Sequence, residues 1–332
     1  MSAPGTTTAP RFDPVAPPPG EAPFENMVWI PGGSFVMGSD RHYPEEGPAH
    51  RVTVAGFWMD RYAVTNRRFE RFVREARYVT WAERQPDPRW YPGARPELMH
   101  AGSLVFVRPP HPVSLHSVSN WWHFVRGANW RSPRGPGSNV ASLATHPVVH
   151  VSYLDAEAFA QWEGKELPTE AEWEFAARGG LEGAAYAWGD EFMPNGRPMA
   201  NTWQGRFPHE NTLADGWEGT SPVGVFPPNG YGLYDVIGNV WEWTTDWYRP
   251  YHRGSSGKPL APPLNPRGAA LLNNGDGGGG MSDGKIPRKV LKGGSHLCSP
   301  NYCQRYRPAA RSPEPVDTTT SHIGFRCIVR PR

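Results

Sequence analysis

Short apolar runs interrupted by glycine and proline mark the beginning of the ordered chain. Residues 27–38 are predicted to form two short strands around the turn Pro31-Gly32-Gly33, because apolar and β-branched residues flank a strong turn signal. Residues 51–60 are predicted to form a third strand. Residues 1–22, ahead of them, are rich in proline, alanine and threonine, and we expect them to form a flexible leader.

Helical periodicity begins after residue 65. Thr65 is a suitable N-cap, and it precedes apolar residues at spacings of three and four, namely Phe69, Phe72, Val73 and Ala76. The spacing predicts a helix of about three turns whose inner face carries these four side chains.

Capping boxes predict two further helices. Ser152 with Asp155 opens the first, and Thr169 with Glu172 opens the second. Gly179 is the expected stop of the second helix, because glycine readily adopts the left-handed conformation of a helix C-terminus.

A long segment between these helices, residues 79–146, shows little periodicity. A connection of this length inside a domain is usually functional or disordered. Its tryptophans favour an ordered segment, and we expect it to wall a surface groove. They are Trp81, Trp90, Trp121, Trp122 and Trp130.

The composition combines many turn residues with many aromatic ones. Glycine (37) and proline (38) are abundant, which alone would favour disorder. The 15 tryptophans, 14 phenylalanines and 12 tyrosines oppose it, because they supply the apolar faces of a core. We therefore predict one folded domain over residues 23–332 with much irregular backbone, interrupted by a mobile glycine-rich insertion at about 268–286.

Charge and hydropathy exclude several classes of protein. The net charge is +2, and the 34 basic and 32 acidic residues are spread along the chain, unlike the basic patches of nucleic-acid binders. No apolar run approaches the roughly 18 residues of a membrane helix, and no signal peptide is visible. Three cysteines, an odd number, also argue against a secreted disulfide framework. We expect a cytoplasmic protein that binds neither nucleic acid nor membrane.

Two of the three cysteines lie close together in Lys292-Gly-Gly-Ser-His-Leu-Cys298-Ser-Pro-Asn-Tyr-Cys303. Arginines follow directly, and a cationic surround favours the thiolate, which is the form that attacks substrates and binds metals. Inert burial, a local disulfide and half of a zinc site are the alternatives, although structural zinc usually needs four nitrogen or sulfur ligands. Thiolates alone suit a soft ion such as Cu(I).

Oxygen-rich turns could bind a hard cation. Asn201-Thr202, Asp215-Gly-Trp217 and the bend framed by Asp235 and Glu242 present side-chain and backbone oxygens. Calcium accepts about six to eight such ligands in flexible geometry. The alternative is that these residues only form turns.

Five motifs together resemble the formylglycine-generating enzyme family, the oxidases that activate sulfatases. They are Gly293-Gly-Ser-x-x-Cys298-x4-Cys303-x-Arg-Tyr-Arg, Gly324-Phe-Arg-Cys327, Leu167-Pro-Thr-Glu-Ala-Glu-Trp-Glu174, Pro228-Asn-Gly-Tyr-Gly-Leu-Tyr234 and Gly238-Asn-Val-Trp-Glu-Trp243. The resemblance runs from about residue 27 to residue 330. The motif at 167–174 is shared with non-catalytic proteins and iron-dependent sulfoxide synthases, so the cysteine pair is the discriminating feature.

The resemblance implies an α+β, C-type-lectin-like fold with little regular secondary structure. It also implies a reaction on an unfolded sulfatase polypeptide, in which the cysteine of a Cys-X-Pro-X-Arg segment becomes Cα-formylglycine with consumption of dioxygen and a thiol reductant. Cys298 and Cys303 would hold Cu(I), which the substrate thiolate joins as a third sulfur ligand.

The resemblance assigns further residues around the two cysteines. Ser295 would lie beside the oxygen pocket, Trp241 would shield the metal from water, and Arg311 would lie near the site. Each residue has a plainer alternative, which is a turn for the serine, a place in the core for the tryptophan and a structural ion pair for the arginine.

Peptide recognition is assigned in the same way. Tyr302 and Ala82 correspond to residues that pack against the substrate proline. Asp87 corresponds to one that pairs with the substrate arginine, where a carboxylate suits a guanidinium. Ala63 replaces an acidic residue found near the site in some members, so peptide specificity can differ.

Two structural calcium sites are implied as well. The first set is Asn201, Asp215 and the carbonyls of Thr202 and Trp217. The second set is Asp235, Glu242 and the carbonyls of Gly238 and Val240. Asp235 stands where some members have asparagine, which adds charge to that site.

The chain departs from secreted animal relatives at their disulfides. Ala160 stands where the partner of Cys327 is expected, and Pro308 replaces another bridging cysteine. We therefore expect Cys327 to be a reduced, buried thiol, which fits a reducing cytoplasm.

Two other functions remain open. A lectin-like module that binds peptide or carbohydrate could keep the fold without the chemistry, although the cysteine pair and its Gly-Gly-Ser lead-in count against it. An iron sulfoxide synthase would ordinarily need a partner segment of the type His-x3-His-x-Glu, and the chain has none.

Overall fold

The computed structural model describes residues 17–250, 252, 264–266 and 286–331. Most of the predicted leader and nearly all of the predicted glycine-rich insertion lie outside the described residues. None of the helices in the described ranges is long and apolar enough to cross a bilayer.

Regular structure is sparse and consists of short elements. The strands are β1 (Met27–Ile30), β2 (Gly33–Met37), β3 (His50–Val54), β4 (Phe57–Asp60), β5 (Gly102–Phe106), β6 (Trp122–Arg126), β7 (Trp241–Trp247), β8 (Arg288–Lys292), β9 (Arg311–Pro315), β10 (Ile323–Gly324) and β11 (Ile328–Val329). The α-helices are α1 (Asn66–Ala76), α2 (Tyr153–Trp162) and α3 (Glu170–Arg178). Single 3₁₀ turns span Pro44–Glu46, Trp81–Glu83, Pro88–Trp90, Pro96–Leu98, Val118–Asn120 and Pro194–Gly196. This mixture confirms the predicted α+β class with little regular structure.

The strands form several small sheets instead of one large one. One sheet has the order β1-β4-β11, another has the order β10-β7-β8-β9, and β2-β3 and β5-β6 are separate hairpins. All of these pairings are antiparallel except β10 with β7. The predicted segment 79–146 contributes the β5-β6 hairpin.

The strand predictions are correct in position and wrong in one boundary. Two strands do flank the turn at Pro31, but each pairs with a later strand instead of with the other. Residues 51–60 form two strands, because Gly56 packs directly against the ring of Trp29. A Cβ at Gly56 would lie 2.3 Å from that ring, and the chain turns there from one sheet into another.

The three predicted helices are confirmed with their caps. The hydroxyl of Thr65 accepts a hydrogen bond from Arg68 N, and both predicted capping boxes are formed. The inner face of α1 is buried at three of the four predicted positions, but Ala76 is exposed because α1 meets its neighbours only along its first two turns. Gly179 ends α3 with φ of 58°.

Aromatic side chains form two neighbouring cores. In the larger core, the ring of Phe69 contacts the rings of Phe72, Trp130, Phe159 and Phe325 at centroid distances between 5.3 and 6.4 Å. A smaller aromatic cluster lies apart from it and comprises Trp121, Trp203, Phe207 and Leu297, with Phe106 against its edge. Leu297 connects the smaller cluster directly to the cysteine segment.

Candidate active site

A buried ion network fixes the strand that leads into the cysteine segment. Lys292, the last residue of β8, donates to Glu174 at 2.9 Å, and Arg178 bonds the other oxygen of the same carboxylate at 2.6 Å. Burial alone would raise the pKa of Glu174, but the two cations lower it to about 2. The carboxylate therefore stays ionised and holds the end of β8 against α3.

Glycines then allow a sharp turn toward the cysteines. Gly293 and Gly294 have φ of +90° and +72°, which is the region that favours glycine. A Cβ at Gly294 would lie 2.8 Å from the carbonyl oxygen of Arg305, so the turn also packs closely on the returning chain. This is the structural reason for the Gly-Gly pair of the motif.

The cysteine segment closes on itself through its backbone. Cys298 N donates to Ser295 O at 2.9 Å, and the amides of Ser299 and Cys303 donate to each other's carbonyls at 3.0 and 2.9 Å. The sulfur atoms of Cys298 and Cys303 consequently lie 3.2 Å apart. That distance is far longer than the ~2.05 Å of a disulfide, and both residues are free thiols.

Two contacts attach this segment to the smaller aromatic cluster. The side chain of Asn301 accepts from Phe207 N and donates to Phe207 O, at 3.1 Å each. Trp203 N donates to Cys298 O at 3.0 Å. The sulfur pair is therefore held from both ends of its loop by the segment around residues 203–207.

The two sulfurs differ in protonation. A hydrogen bond from the Cys298 thiol lowers the pKa of Cys303 to about 6 against the opposing effect of burial, and Arg305 lowers it further. Burial raises the pKa of Cys298, and the nearby charge of Cys303 adds to that increase. At neutral pH the pair holds one thiolate and one thiol, with the Cys298 S–H donating to Cys303 Sγ.

Arg305 is itself held by residues from the beginning of the chain. Its guanidinium bonds Glu45 Oε1 at 2.5 and 3.2 Å and lies 3.9 Å from the centroid of the Tyr43 ring. It also lies close enough to Cys303 to stabilise the thiolate of that residue. Sequence reasoning missed Tyr43 and Glu45, because no local pattern connects them with a loop 260 positions away.

An aromatic surface borders the sulfur pair. Tyr302 stacks on Phe207 at a centroid distance of 4.5 Å and an interplanar angle of 8°, and its edge meets Trp121 at 5.4 Å. Its side chain is 37% exposed, which leaves part of the ring free for contact. Tyr306 stacks on Phe192 at a centroid distance of 4.6 Å. Burial raises the pKa of Tyr306, and the nearby Tyr186 and both cysteines raise it further.

Ser295, Trp241 and Arg311 adopt the plainer arrangements weighed above. The Ser295 hydroxyl accepts from Leu297 N at 3.2 Å and so stabilises the turn, while its backbone N–H donates to Cys298 Sγ at 3.4 Å. Trp241 is buried in the larger core at the start of β7. Arg311 is buried and pairs with Glu170 at 2.8 Å. Their roles in the reaction remain predictions.

Ala82 and Asp87 lie in the segment before β5. Ala82 is buried in a 3₁₀ turn. The Asp87 carboxylate forms an ion pair with Arg89, with 2.5 Å between Asp87 Oδ2 and a guanidinium nitrogen. A substrate arginine would have to displace Arg89. Both assignments to the substrate remain predictions, as does the effect of Ala63, which is buried.

The first predicted calcium set offers free oxygens. The Asp215 carboxylate accepts from Trp217 N at 3.1 Å and from Thr202 N at 3.2 Å, so each oxygen keeps a further lone pair. Asn201 donates through Nδ2 to Gly219 O at 2.8 Å, which leaves its Oδ1 as an acceptor. Burial raises the pKa of Asp215, and no cation pairs with it within the described ranges. This donor set fits a hard cation.

The second predicted calcium set does not fit in the same way. Glu242 accepts three bonds from Arg326 at 2.7, 2.8 and 3.0 Å and one from Trp173 Nε1 at 2.7 Å. A carboxylate has about four lone-pair positions, and these bonds use them. Asp235 is buried, which raises its pKa to about 6, and it accepts from Gly224 N at 2.7 Å. Gly238 and Val240 precede Glu242 in the turn into β7.

Other metal centres are not evident. Among the residues that the structure describes, no group of three or more histidine, cysteine, aspartate or glutamate side chains converges as a metal site. The two free thiols fit the chemistry of a soft monovalent ion instead, since such an ion needs few ligands and prefers sulfur.

The protonation of the sulfur pair predicts its reactivity in the metal-free protein. We expect iodoacetamide to alkylate Cys303 first, because the thiolate is the reactive form and the pKa of Cys303 is lowered to about 6. The alkylation rate of Cys303 should therefore stay high at neutral pH and fall only as the pH drops through about 6. Cys298 and Cys327 should react slowly, because burial raises the pKa of both. Peptide mapping by mass spectrometry across pH would measure this. A Cys303 profile with the ordinary cysteine midpoint of ~8.5 would contradict it.

Comparisons with known proteins agree on one family. The family model described as "Sulfatase-modifying factor enzyme 1-like domain" matches residues 13–331. The chain is 53% identical to the formylglycine-generating enzyme of Mycobacterium tuberculosis over 307 residues, covering 92% of this chain and 98% of that one. It is 44% identical to the mouse formylglycine-generating enzyme, covering 98% of this chain and 78% of that one.

One further relative is named inactive, and one solved structure is similar in fold at low sequence identity. The mouse protein named inactive C-alpha-formylglycine-generating enzyme 2 is 40% identical, with 93% of this chain and 87% of that protein covered. Among solved structures, PvdO from Pseudomonas aeruginosa superposes with a TM-score of 0.57 at 24% identity, covering 92% of this chain and 94% of that one. The latter likeness concerns the fold alone.

Proposed function

Because this chain belongs to the sulfatase-modifying factor enzyme 1-like family, we propose that it oxidises a cysteine of unfolded sulfatases to Cα-formylglycine. The observation that carries the proposal is the pair of free thiols, Cys298 and Cys303, with sulfurs 3.2 Å apart beside the half-exposed ring of Tyr302. The substrate segment is the Cys-X-Pro-X-Arg motif that the resemblance implies.

Cys298 and Cys303 are the proposed ligands of Cu(I). When bound, the ion would supply a centre at which dioxygen accepts electrons. The hydrogen bond from Cys298 and the charge of Arg305 together favour the thiolate of Cys303, so only the proton on Cys298 has to leave when a metal binds. Glu45 and Tyr43 keep the guanidinium in place, which preserves that state between turnovers.

The peptide would lie across the aromatic surface. The exposed part of Tyr302 offers an apolar face to a proline two positions after the reacting cysteine, and Phe207 supports the ring from behind. Because Cys298 is buried while Cys303 is partly exposed, the incoming substrate thiol meets the pair from the Cys303 side.

The overall reaction balances with an external reductant. The cysteine CH₂–SH becomes an aldehyde and hydrogen sulfide, which releases two electrons, whereas reduction of dioxygen to water takes four. A thiol reductant would supply the other two. The free state of all three cysteines supports a reducing compartment, and we propose the cytoplasm.

A non-catalytic binding module is the second candidate, since a 40% identical relative is named inactive. One experiment separates the two. A peptide containing Cys-X-Pro-X-Arg, incubated with protein, Cu(I), dioxygen and dithiothreitol, should gain an aldehyde that a hydroxylamine probe captures. The same peptide with serine for cysteine is the control. Binding of the peptide without aldehyde formation, with copper present, would favour the non-catalytic module.

Copper dependence is expected to be strong in that assay. Apo-protein should be nearly inactive and should recover on addition of one equivalent of Cu(I), because the thiol pair alone has no means of activating dioxygen. Competition with a colorimetric Cu(I) chelator measures binding independently of turnover. Equal rates with and without the chelator would contradict the copper proposal.

We also propose one structural calcium at the first set of oxygens, Asn201, Asp215 and the carbonyls of Thr202 and Trp217. Calcium should raise the thermal midpoint of the chelator-treated protein, since a ligand that binds only the folded state stabilises it. Asp215→Asn should largely remove that increase, whereas Asp190→Asn, a change of the same charge on an exposed loop, should keep it. An unchanged calcium response in Asp215→Asn would exclude this site.

A further inference from the structure

A cavity of about 440 Å³ borders the smaller aromatic cluster. Its wall includes Trp203 and Phe106, whose rings meet at 5.6 Å, and it also includes His296 from the segment that carries the two cysteines. The volume is typical of a small-molecule site. No role in the proposed reaction has been assigned to it.

Most of the lining is apolar and comes from distant parts of the chain. Val105 and Val125 face it from the β5-β6 hairpin, and Leu143, Pro147 and Val149 face it from the segment before α2. Such a wall favours a branched or aromatic body over a polar one, because burial of apolar surface contributes about 25 cal/mol per Å².

The lining of this cavity also includes a residue with a hydrogen-bond acceptor. His296 lines it, and its Nδ1 bonds Asn239 O at 2.8 Å. A carbonyl accepts only, so Nδ1 carries the proton and Nε2 of the neutral ring carries the lone pair. No protein donor within the described ranges bonds Nε2. A ligand with an N–H group would complete this pair.

The rim is positively charged. Arg108 and Glu218 form a weak exposed pair at 3.6 Å, while the guanidinium of Arg134, also at the rim, has no ion-pair partner within the described ranges. The net positive charge favours an anionic group at the mouth, and guanidinium groups bind carboxylates well.

We propose that this cavity binds a small N-acylated hydrophobic amino acid, or a ligand of the same chemistry. The apolar body fills the valine and leucine wall, the amide N–H donates to His296 Nε2, and the carboxylate pairs with Arg134. The proposal is independent of copper and of cysteine oxidation, because binding is measured without turnover.

The probe is N-acetyl-L-leucine, titrated into the full-length protein by calorimetry and ligand-observed NMR. A ligand of this size should bind with a Kd of about 1 mM. N-acetyl-L-leucinamide lacks the carboxylate, and N-acetyl-N-methyl-L-leucine lacks the N–H donor. Each should bind about tenfold more weakly, since each removes one polar contact.

Two variants locate the site. Arg134→Gln should weaken N-acetyl-L-leucine about tenfold and leave the leucinamide unchanged, while Leu143→Trp should abolish binding of both by filling the cavity. Arg126→Gln, an equal charge change on an exposed arginine outside the cavity, is the matched control.

Absence of saturable binding by the wild-type protein would overturn the proposal. So would binding that Arg134→Gln and Arg126→Gln weaken equally. If Leu143→Trp fails to fold, the ligand series with Arg134→Gln still decides.

Discussion

Cys298→Ala and Cys303→Ala are each expected to reduce the rate of aldehyde formation on a Cys-X-Pro-X-Arg peptide by at least about a thousandfold. Losses of this size are typical when an essential catalytic group is removed. Either change leaves one sulfur where the proposed chemistry needs two, because the atoms 3.2 Å apart act as one ligand set. Aldehyde capture followed by mass spectrometry measures the loss.

The third cysteine provides the control. Cys327 is buried and free, as predicted, and its backbone N–H donates to Asp60 Oδ2 at 3.3 Å. Cys327→Ala should keep most of the activity and lose only a modest amount of stability, because a small cavity replaces the sulfur. Near-UV circular dichroism should show that all three variants are folded. Full activity in either variant of the pair would remove the basis of the proposed function.

Arg326→Met is expected to destabilise the fold by about 3–5 kcal/mol, the usual cost of breaking a buried ion pair. Arg326 is fully buried and bonds both oxygens of Glu242, and its remaining N–H groups reach the carbonyls of Asp60, Arg61 and Tyr234. The substitution leaves a buried carboxylate without its cation. Urea unfolding followed by tryptophan fluorescence measures the change.

Two further variants test that explanation. Adding Glu242→Gln to Arg326→Met should recover part of the loss, because the uncompensated charge is then gone. Arg71→Met breaks an exposed pair with Glu75 at 3.1 Å and should cost less than about 0.5 kcal/mol. If the Arg326 variant were as stable as the Arg71 variant, the Glu242 carboxylate would have another counter-ion, and the second calcium set would return to consideration.

Local signals predicted the backbone well. The caps at Thr65, Ser152 and Thr169 are hydrogen bonds across three residues, so the sequence alone contains all the information that they need. Ala76 and the break at Gly56 were missed for the opposite reason. The burial of an alanine depends on which distant side chain packs against it. The end of a strand can depend on the same kind of contact, as it does where Trp29 packs on Gly56.

The sequence by itself determined the family, the fold class and the pair of cysteines that a five-residue spacing brings onto one loop. The tertiary structure alone decided the electrostatics around that pair. It brings Glu45 and Tyr43 to Arg305 across about 260 positions, and it pairs Arg311 with Glu170 and Glu242 with Arg326. Whether a charged side chain is free to meet a ligand depends on which counter-ion the fold places against it. That choice depends on long-range topology, which no local pattern records.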